Sequence, residues 1–146
     1  MLSLKEIDFL RSERVARMAT INQASKSPHA VPVCFAFDGE DIYTTLSASS
    51  RRLKNIKEGS KTSVLIDKYE EENGEWKVLC GLLIYGIAKI ISYNENREEF
   101  MRGWRLLIQK YPQYKHWTNP DLTPNDSNKR RIIKFRPSRI TRWGFG

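Results

Sequence analysis

The sequence predicts a mainly β domain of α+β type, a small antiparallel barrel of six or seven strands with two or three peripheral helices. Three observations lead there. Short apolar or alternating runs, separated by turn residues, recur through the first two thirds of the chain. Asp38-Gly39 joins two of them, and Asp-Gly is a strong hairpin signal. A long run from Trp76 to Ser92 is apolar on both pleat faces and carries Gly81 and Gly86, where a strongly curved strand needs a bend or bulge.

Taken in order, Ser3 with Glu6 makes a capping box ahead of Ile7 and Leu10, so a short helix opens the chain and ends near Ser12. From Val15 to Ile21, alternation of Val15, Arg17, Ala19 and Ile21 with Ala16, Met18 and Thr20 predicts a strand. Turn residues fill Asn22 to Pro28, His29 to Phe37 reads as the second strand, and Asp41–Leu46 is its hairpin partner. A basic segment follows, then the strand Thr62–Lys68, an acidic loop from Glu70 to Glu75, and the long strand Trp76–Ser92. Asn94 is the expected N-cap of a helix with Glu95, Glu98 and Glu99 near its start and Arg102, Arg105 and Lys110 beyond, an order that suits the helix dipole. Phe100, Trp104, Leu107, Ile108 and Tyr111 share one face of that helix, at the spacing of core packing. Tyr111-Pro112 stops it, and a polar loop with Pro120 and Pro124 leads to strands at Arg130–Arg136 and, past Pro137, Arg139–Trp143.

The chain has 146 residues, the size of one domain, with 40% hydrophobic and 29% charged residues, so a single folded unit over 1–146 is expected. Cys34 and Cys80 form no CxxC, and His29 and His116 stand alone, so neither a disulfide framework nor a metal site is indicated. No stretch is long and apolar enough to span a membrane, and the N-terminus lacks the order of a signal peptide, so a reduced, cytoplasmic setting is expected. The net charge is +8, and residues 100 to 146 hold eleven bases against only Asp121 and Asp126, which predicts a face for anionic partners.

The segment "YTTLSASSRRLKNIK" carries the chemistry. Hydroxyls, a helix start and guanidinium groups together suit a phosphate, and Ser49, Ser50, Arg51, Arg52 and Lys54 provide all three. Bases at a helix N-terminus oppose its dipole and cost stability unless an anion is held there.

"RVARMATI", "PHAVPVCFAFDGEDIYTT", "SSRRLKNI" and "TSVLIDKY", read together and in order, resemble the flavin-binding split-barrel family that includes the pyridoxamine 5′-phosphate oxidases. The resemblance implies a six-stranded split barrel of Greek-key character and a homodimer with two flavin sites at its interface. It places Ser50-Arg51-Arg52 where the family's Ser-Arg-Lys grips the cofactor phosphate, with Lys54 one helical step beyond. It puts Pro32, Val33, Thr44 and Thr45 beside the ribityl chain and ring. "VLIDKYEE" and "KYPQYK" resemble the branch that uses the deazaflavin coenzyme F420, whereas Cys80-Gly81-Leu82-Leu83 departs from it, so FMN and deazaflavin both stay open. True pyridoxamine phosphate oxidases carry a longer C-terminal extension that helps bind substrate, and by that departure oxidation of the vitamer is not expected. The implied activity is that of an oxidoreductase moving hydride between the bound cofactor and a small organic substrate. No residue pair demands an acid/base role, so catalytic residues are unassigned.

The C-terminal stretch admits three readings. Trp143 can shield the flavin ring while Arg142 meets an anionic group, from the neighbouring subunit; or Trp143 caps the barrel from an edge strand. In the third reading, Lys129 to Arg142, interleaved with Phe135, Trp143 and Phe145, bind single-stranded nucleic acid, although alternation gives no clean aromatic platform. A flavin carrier or sensor without turnover is a further alternative, and sequence does not separate it from an enzyme.

Overall fold

The computed structural model describes residues 1–146. The elements in chain order are α1 (Leu4–Ser12), β1 (Ala16–Ile21), β2 (Pro28–Val33), β3 (Ala36–Phe37), β4 (Ile42–Ser47), α2 (Arg51–Lys57), β5 (Thr62–Glu72), β6 (Glu75–Ile91), α3 (Arg97–Lys110) and β7 (Arg130–Trp143). Short 3-10 turns at Pro112–Trp117 and Ser127–Lys129 lie between α3 and β7. The strands form one antiparallel sheet in the order β2-β1-β5-β6-β7-β4-β3. β2 and β3 are separated by only Cys34 and Phe35 yet stand at opposite edges, so the sheet must curl round on itself and remain split between them. Across that split the Thr44 hydroxyl donates to the Cys34 carbonyl at 2.7 Å.

Met18, Val64, Ile66, Leu82, Ile84, Ile133 and Phe135 fill the barrel. α1 closes one end with Phe9 and Leu10, and α2 closes the other with Leu53. The second closure is fixed by polar contacts at the far end of β1, where Asn55 Nδ2 donates to Thr20 Oγ1 at 3.0 Å and the Ile21 amide donates to Ser60 Oγ at 2.7 Å. Outside the barrel, Phe100, Trp104, Leu107 and Tyr111 pack α3 onto Tyr43, Ile91 and Ile132, the face the helical spacing predicts.

The structure differs from expectation at four places. The expected acidic loop Glu70–Glu75 is mostly strand, because β5 runs on to Glu72 and meets β6 at Glu75 through a two-residue Asn73-Gly74 turn with positive φ at both residues. There are seven strands where the resemblance implies six, because His29–Phe37 breaks at Phe35. The Tyr111 hydroxyl accepts from the Phe35 amide at 3.0 Å and lies 2.9 Å from the Phe35 carbonyl, which takes that residue out of the ladder. The stretch from Arg130 to Trp143 is a single strand, and it is interior, lying between β6 and β4, where an edge strand was one expectation. Pro137 fits because the register shifts there, opposite Tyr85 and Gly86. Asn96 caps α3 in place of Asn94, accepting from the Glu99 amide at 3.1 Å.

Candidate functional site

The basic segment begins where β4 ends. Ser47 pairs with Arg130 and Leu46 with Arg131, and the Ala48 amide donates to the Lys129 carbonyl at 2.8 Å, so the loop after β4 lies against the start of β7. Ser47 and Ser49 hydroxyls are 3.0 Å apart. Ser50 is the N-cap of α2, and its hydroxyl accepts from both the amide and the Nε of Arg52 at 3.2 Å. The helix has seven residues and no acid in its first turn. Its Arg52 amide is already capped, so anion-binding capacity here rests on side chains more than on free helix amides.

None of Arg51, Arg52, Lys54, Lys57, Lys129, Arg130 and Arg131 takes part in an ion pair. Arg52 is half-buried, and that burial lowers its pKa from the usual value. A guanidinium withdrawn from water with only a serine hydroxyl beside it is short of acceptors. Arg130 and Arg131 join this group through strand register. Arg130 lies over the rings of Trp104 and Trp117, 5.5 and 5.9 Å from their centroids, and Arg131 donates to the Asn128 and Arg130 carbonyls. Sequence reasoning assigned both to the C-terminal basic run; the signal that places them here is the pairing of the first strand after the polar loop with β4.

The other candidate residues fall into two groups. Thr45 stands beside the basic segment, half-buried, its hydroxyl donating to the Arg131 carbonyl at 3.1 Å. Thr44 is buried inside the barrel and Val33 is buried opposite Ala16, while Pro32 is exposed on the outer face opposite Arg17. Both threonine hydroxyls are therefore engaged with backbone carbonyls. Arg142 and Trp143 lie at the far end of β7, remote from Ser49–Lys54 of the same chain. Arg142 is paired with the buried Glu6 of α1 and donates to the Met1 carbonyl at 3.3 Å. Trp143 lies flat on Gly81, where an added Cβ would sit 2.2 Å from the indole.

The C-terminal bases do not form a stacking platform. Phe135 is buried in the barrel, Arg136 makes two bonds to Asp41 at 2.9 and 3.0 Å, and Lys134 binds Glu99 at 2.6 Å. No three His, Cys, Asp or Glu side chains are arranged so that they could hold a metal ion, and no helix is long and apolar enough to cross a membrane.

Residues 5–144 match the family model described as pyridoxamine 5′-phosphate oxidase. Comparison with curated proteins gives no match. Among solved structures, a conserved hypothetical protein of Mycobacterium tuberculosis is 25% identical, with 99% of this chain and 86% of that one covered and a TM-score of 0.76. An F420 reductase is 20% identical, covering 92% of this chain and 94% of its own, with a TM-score of 0.65. HutZ, the haem storage protein of Vibrio cholerae, is 16% identical over 97% of this chain and 94% of its own, with a TM-score of 0.72. The last two likenesses are of fold.

Proposed function

The chain belongs to the pyridoxamine 5′-phosphate oxidase family, and on that premise we propose that it is an oxidoreductase that binds FMN or the deazaflavin coenzyme, with the phosphate held by Ser49–Lys54. The observation that carries this reading is Arg52, half-buried at the start of α2 with no carboxylate partner. Ser50 sets a hydroxyl beside it, Ser49 is exposed in the same loop, Arg51 and Lys54 add exposed charge, and Arg130 and Arg131 extend the positive wall. When bound, either cofactor supplies hydride transfer between its ring and a small organic substrate.

The polypeptide binds, orients and shelters. Arg52 meets the phosphate oxygens through charge-assisted hydrogen bonds, which fix one end of the cofactor. Because the hydroxyls of Thr44 and Thr45 are engaged, β4 contributes shape and backbone to the cofactor's flank. Pro32, exposed on the outer face of β2, flanks it from the far edge of the split, while Val33 faces the barrel interior and supports that edge from behind. Arg142 and Trp143 stand at the opposite end of their own chain, so in this reading they reach the ring side of a partner subunit's cofactor, where the indole excludes water. An F420 reductase of the same fold supports the deazaflavin option.

The test is an absorption and fluorescence titration of the purified chain with each cofactor, repeated on Arg52→Glu. That change removes a charge-assisted contact and adds repulsion, so binding weakens by roughly ten- to a thousandfold. Unchanged affinity for both cofactors in a folded variant would rule out this assignment.

A further inference from the structure

A second group of free cations lies between the end of α1 and the outer side of α3. Arg11 and Arg14 line this open cleft on one side and Arg105 and Lys110 on the other, with Phe37 and Leu106 as apolar wall, around a volume of about 1170 Å³. The acids of the same cleft have partners. Asp38 accepts from Arg102 at 2.9 Å and from the amides of Glu40 and Asp41 at 2.9 and 2.7 Å. Glu99 accepts from Lys134 at 2.6 Å and Lys89 at 3.3 Å, which leaves Glu98 as the one cleft acid outside an ion pair.

The four bases are in the opposite condition. Arg11, Arg14, Arg105 and Lys110 form no ion pair with any carboxylate of the chain. Arg14 lies over the Tyr111 ring, 4.7 Å from its centroid. Lys110 Nζ makes one hydrogen bond, to the Leu10 carbonyl at 3.2 Å, and sits 3.7 Å from the Phe35 centroid. Burial, with Arg14 nearby, pushes the Lys110 pKa down to about 8. An ammonium drawn out of water with no ion-pair partner, Glu13 acting on it only from farther off, is destabilising, and an anion in the cleft relieves it.

We propose that this cleft is a binding site for a small organic anion, one carrying a phosphate or paired carboxylates on a short apolar body, held by Arg11, Arg14, Arg105 and Lys110. Glu98, the one unpaired acid of the cleft, disfavours an extended polyanion along α3 and so favours a small occupant. The apolar wall at Phe37 and Leu106 takes the occupant's carbon body.

The site is separate from the cofactor segment and does not rest on that assignment. β1 and β4 both run from the α1 end of the barrel to the α2 end, six residues each. Six strand residues span about 20 Å, which separates the cleft from Ser49–Lys54.

The experiment is calorimetric titration of the full chain at low ionic strength with two probes, pyrophosphate and succinate, on the wild type and on Arg105→Gln, Lys110→Met and Arg52→Glu. Saturable binding of at least one probe is expected, and the probe that binds tells phosphate from dicarboxylate. Measured in the Arg52→Glu background, which removes the phosphate contact of the cofactor segment, Arg105→Gln and Lys110→Met should each weaken it about tenfold or more, and Arg52→Glu alone should leave succinate binding and the Arg105-dependent part of pyrophosphate binding unchanged. Arg105 is exposed, so its variant keeps the fold if Lys110→Met does not. Failure of both probes to saturate at millimolar concentration overturns the proposal. So does binding that, in the Arg52→Glu background, survives Arg105→Gln intact, or binding that disappears altogether with Arg52→Glu.

Discussion

Glu99 reads in the sequence as one acid in the first turn of a helix, and the structure gives it a second task. Lys134, Lys89 and Asn96 all donate to its carboxylate, at 2.6, 3.3 and 2.9 Å, and its side chain is only 16% exposed. The Lys134 bond holds its pKa below the usual 4.5 although burial pulls the other way. A folded pKa below the unfolded one means that the unfolded chain binds more protons in between, so this stability is complete above about 4.5 and is lost as the pH falls. Glu6 and Asp38 act in the same direction; burial alone would raise each, but backbone amides and the partners Arg142 and Arg102 bring both down. Glu99→Gln should therefore destabilise the protein by about 1–3 kcal/mol near neutral pH, with the deficit shrinking in acid, as urea unfolding at several pH values will measure. A deficit that stays constant down to about pH 3 would contradict the ion-pair account. At this scale the basic helix start was legible, because Ser50, Arg51 and Arg52 are neighbours in sequence and their cap is local. Arg130 and Arg131 were not legible as part of it, since only the register of β7 on β4 brings them there. The use of the Thr44 and Thr45 hydroxyls also depends on contacts remote in sequence, in the latter case with Arg131.

β7 shows what pattern reading captures in an element and what it misses. The capping box of α1 and the hairpin at Asp38-Gly39 are local devices, and both stand where they were expected. The split of the second strand at Phe35 was hidden because Tyr111, which causes it, lies 76 residues away. The continuity of β7 was hidden because Pro137 usually ends a strand, and its tolerance depends on a bulge opposite β6. Near that bulge Gly86 has no room for a side chain, since a Cβ would come within 2.1 Å of the Arg136 carbonyl oxygen. The end of β7 is bound into the fold by several independent contacts. Trp143 rests on Gly81, Gly144 packs against Leu79 and Cys80, Phe145 meets Phe9 edge-on at 5.1 Å, and Arg142 pairs with the buried Glu6. Truncation after Ser138 removes all four and leaves the Glu6 carboxylate buried with only the Ser3 amide as donor, a loss of about 1–3 kcal/mol from that pair because Arg142 is partly exposed. A large fall in melting temperature is expected even without cofactor. If melting temperature holds while cofactor fluorescence changes, the stretch serves the site and contributes little to packing.

For the whole molecule, α3 covers one outer side of the barrel and leaves another bare. Leu65 and Leu83 form a cross-strand pair outside β5 and β6, Tyr85 follows beside Ser63, and Leu79, Ile87 and Trp143 are 44, 73 and 38% exposed. A barrel interior covers only one face of β6, so apolar residues on the other face imply a partner surface. The basic segment and Arg142-Trp143 lie at opposite ends of one chain, and a site that uses both needs two chains. A homodimer through the outer face of β5 and β6 meets both requirements. Sedimentation equilibrium with cofactor present should give twice the 17.1 kDa of the chain at micromolar concentration, and a 17.1 kDa species would defeat the idea. Leu83→Asp places a charge in the middle of that face, where Leu83 is only partly buried within its own chain, so it should dissociate the dimer without unfolding the monomer. Cofactor affinity should fall with it, since the ring side of the site is then lost while the phosphate segment remains. A monomeric Leu83→Asp variant with undiminished cofactor affinity would show that one chain builds the whole site, and would return Arg142 and Trp143 to packing alone.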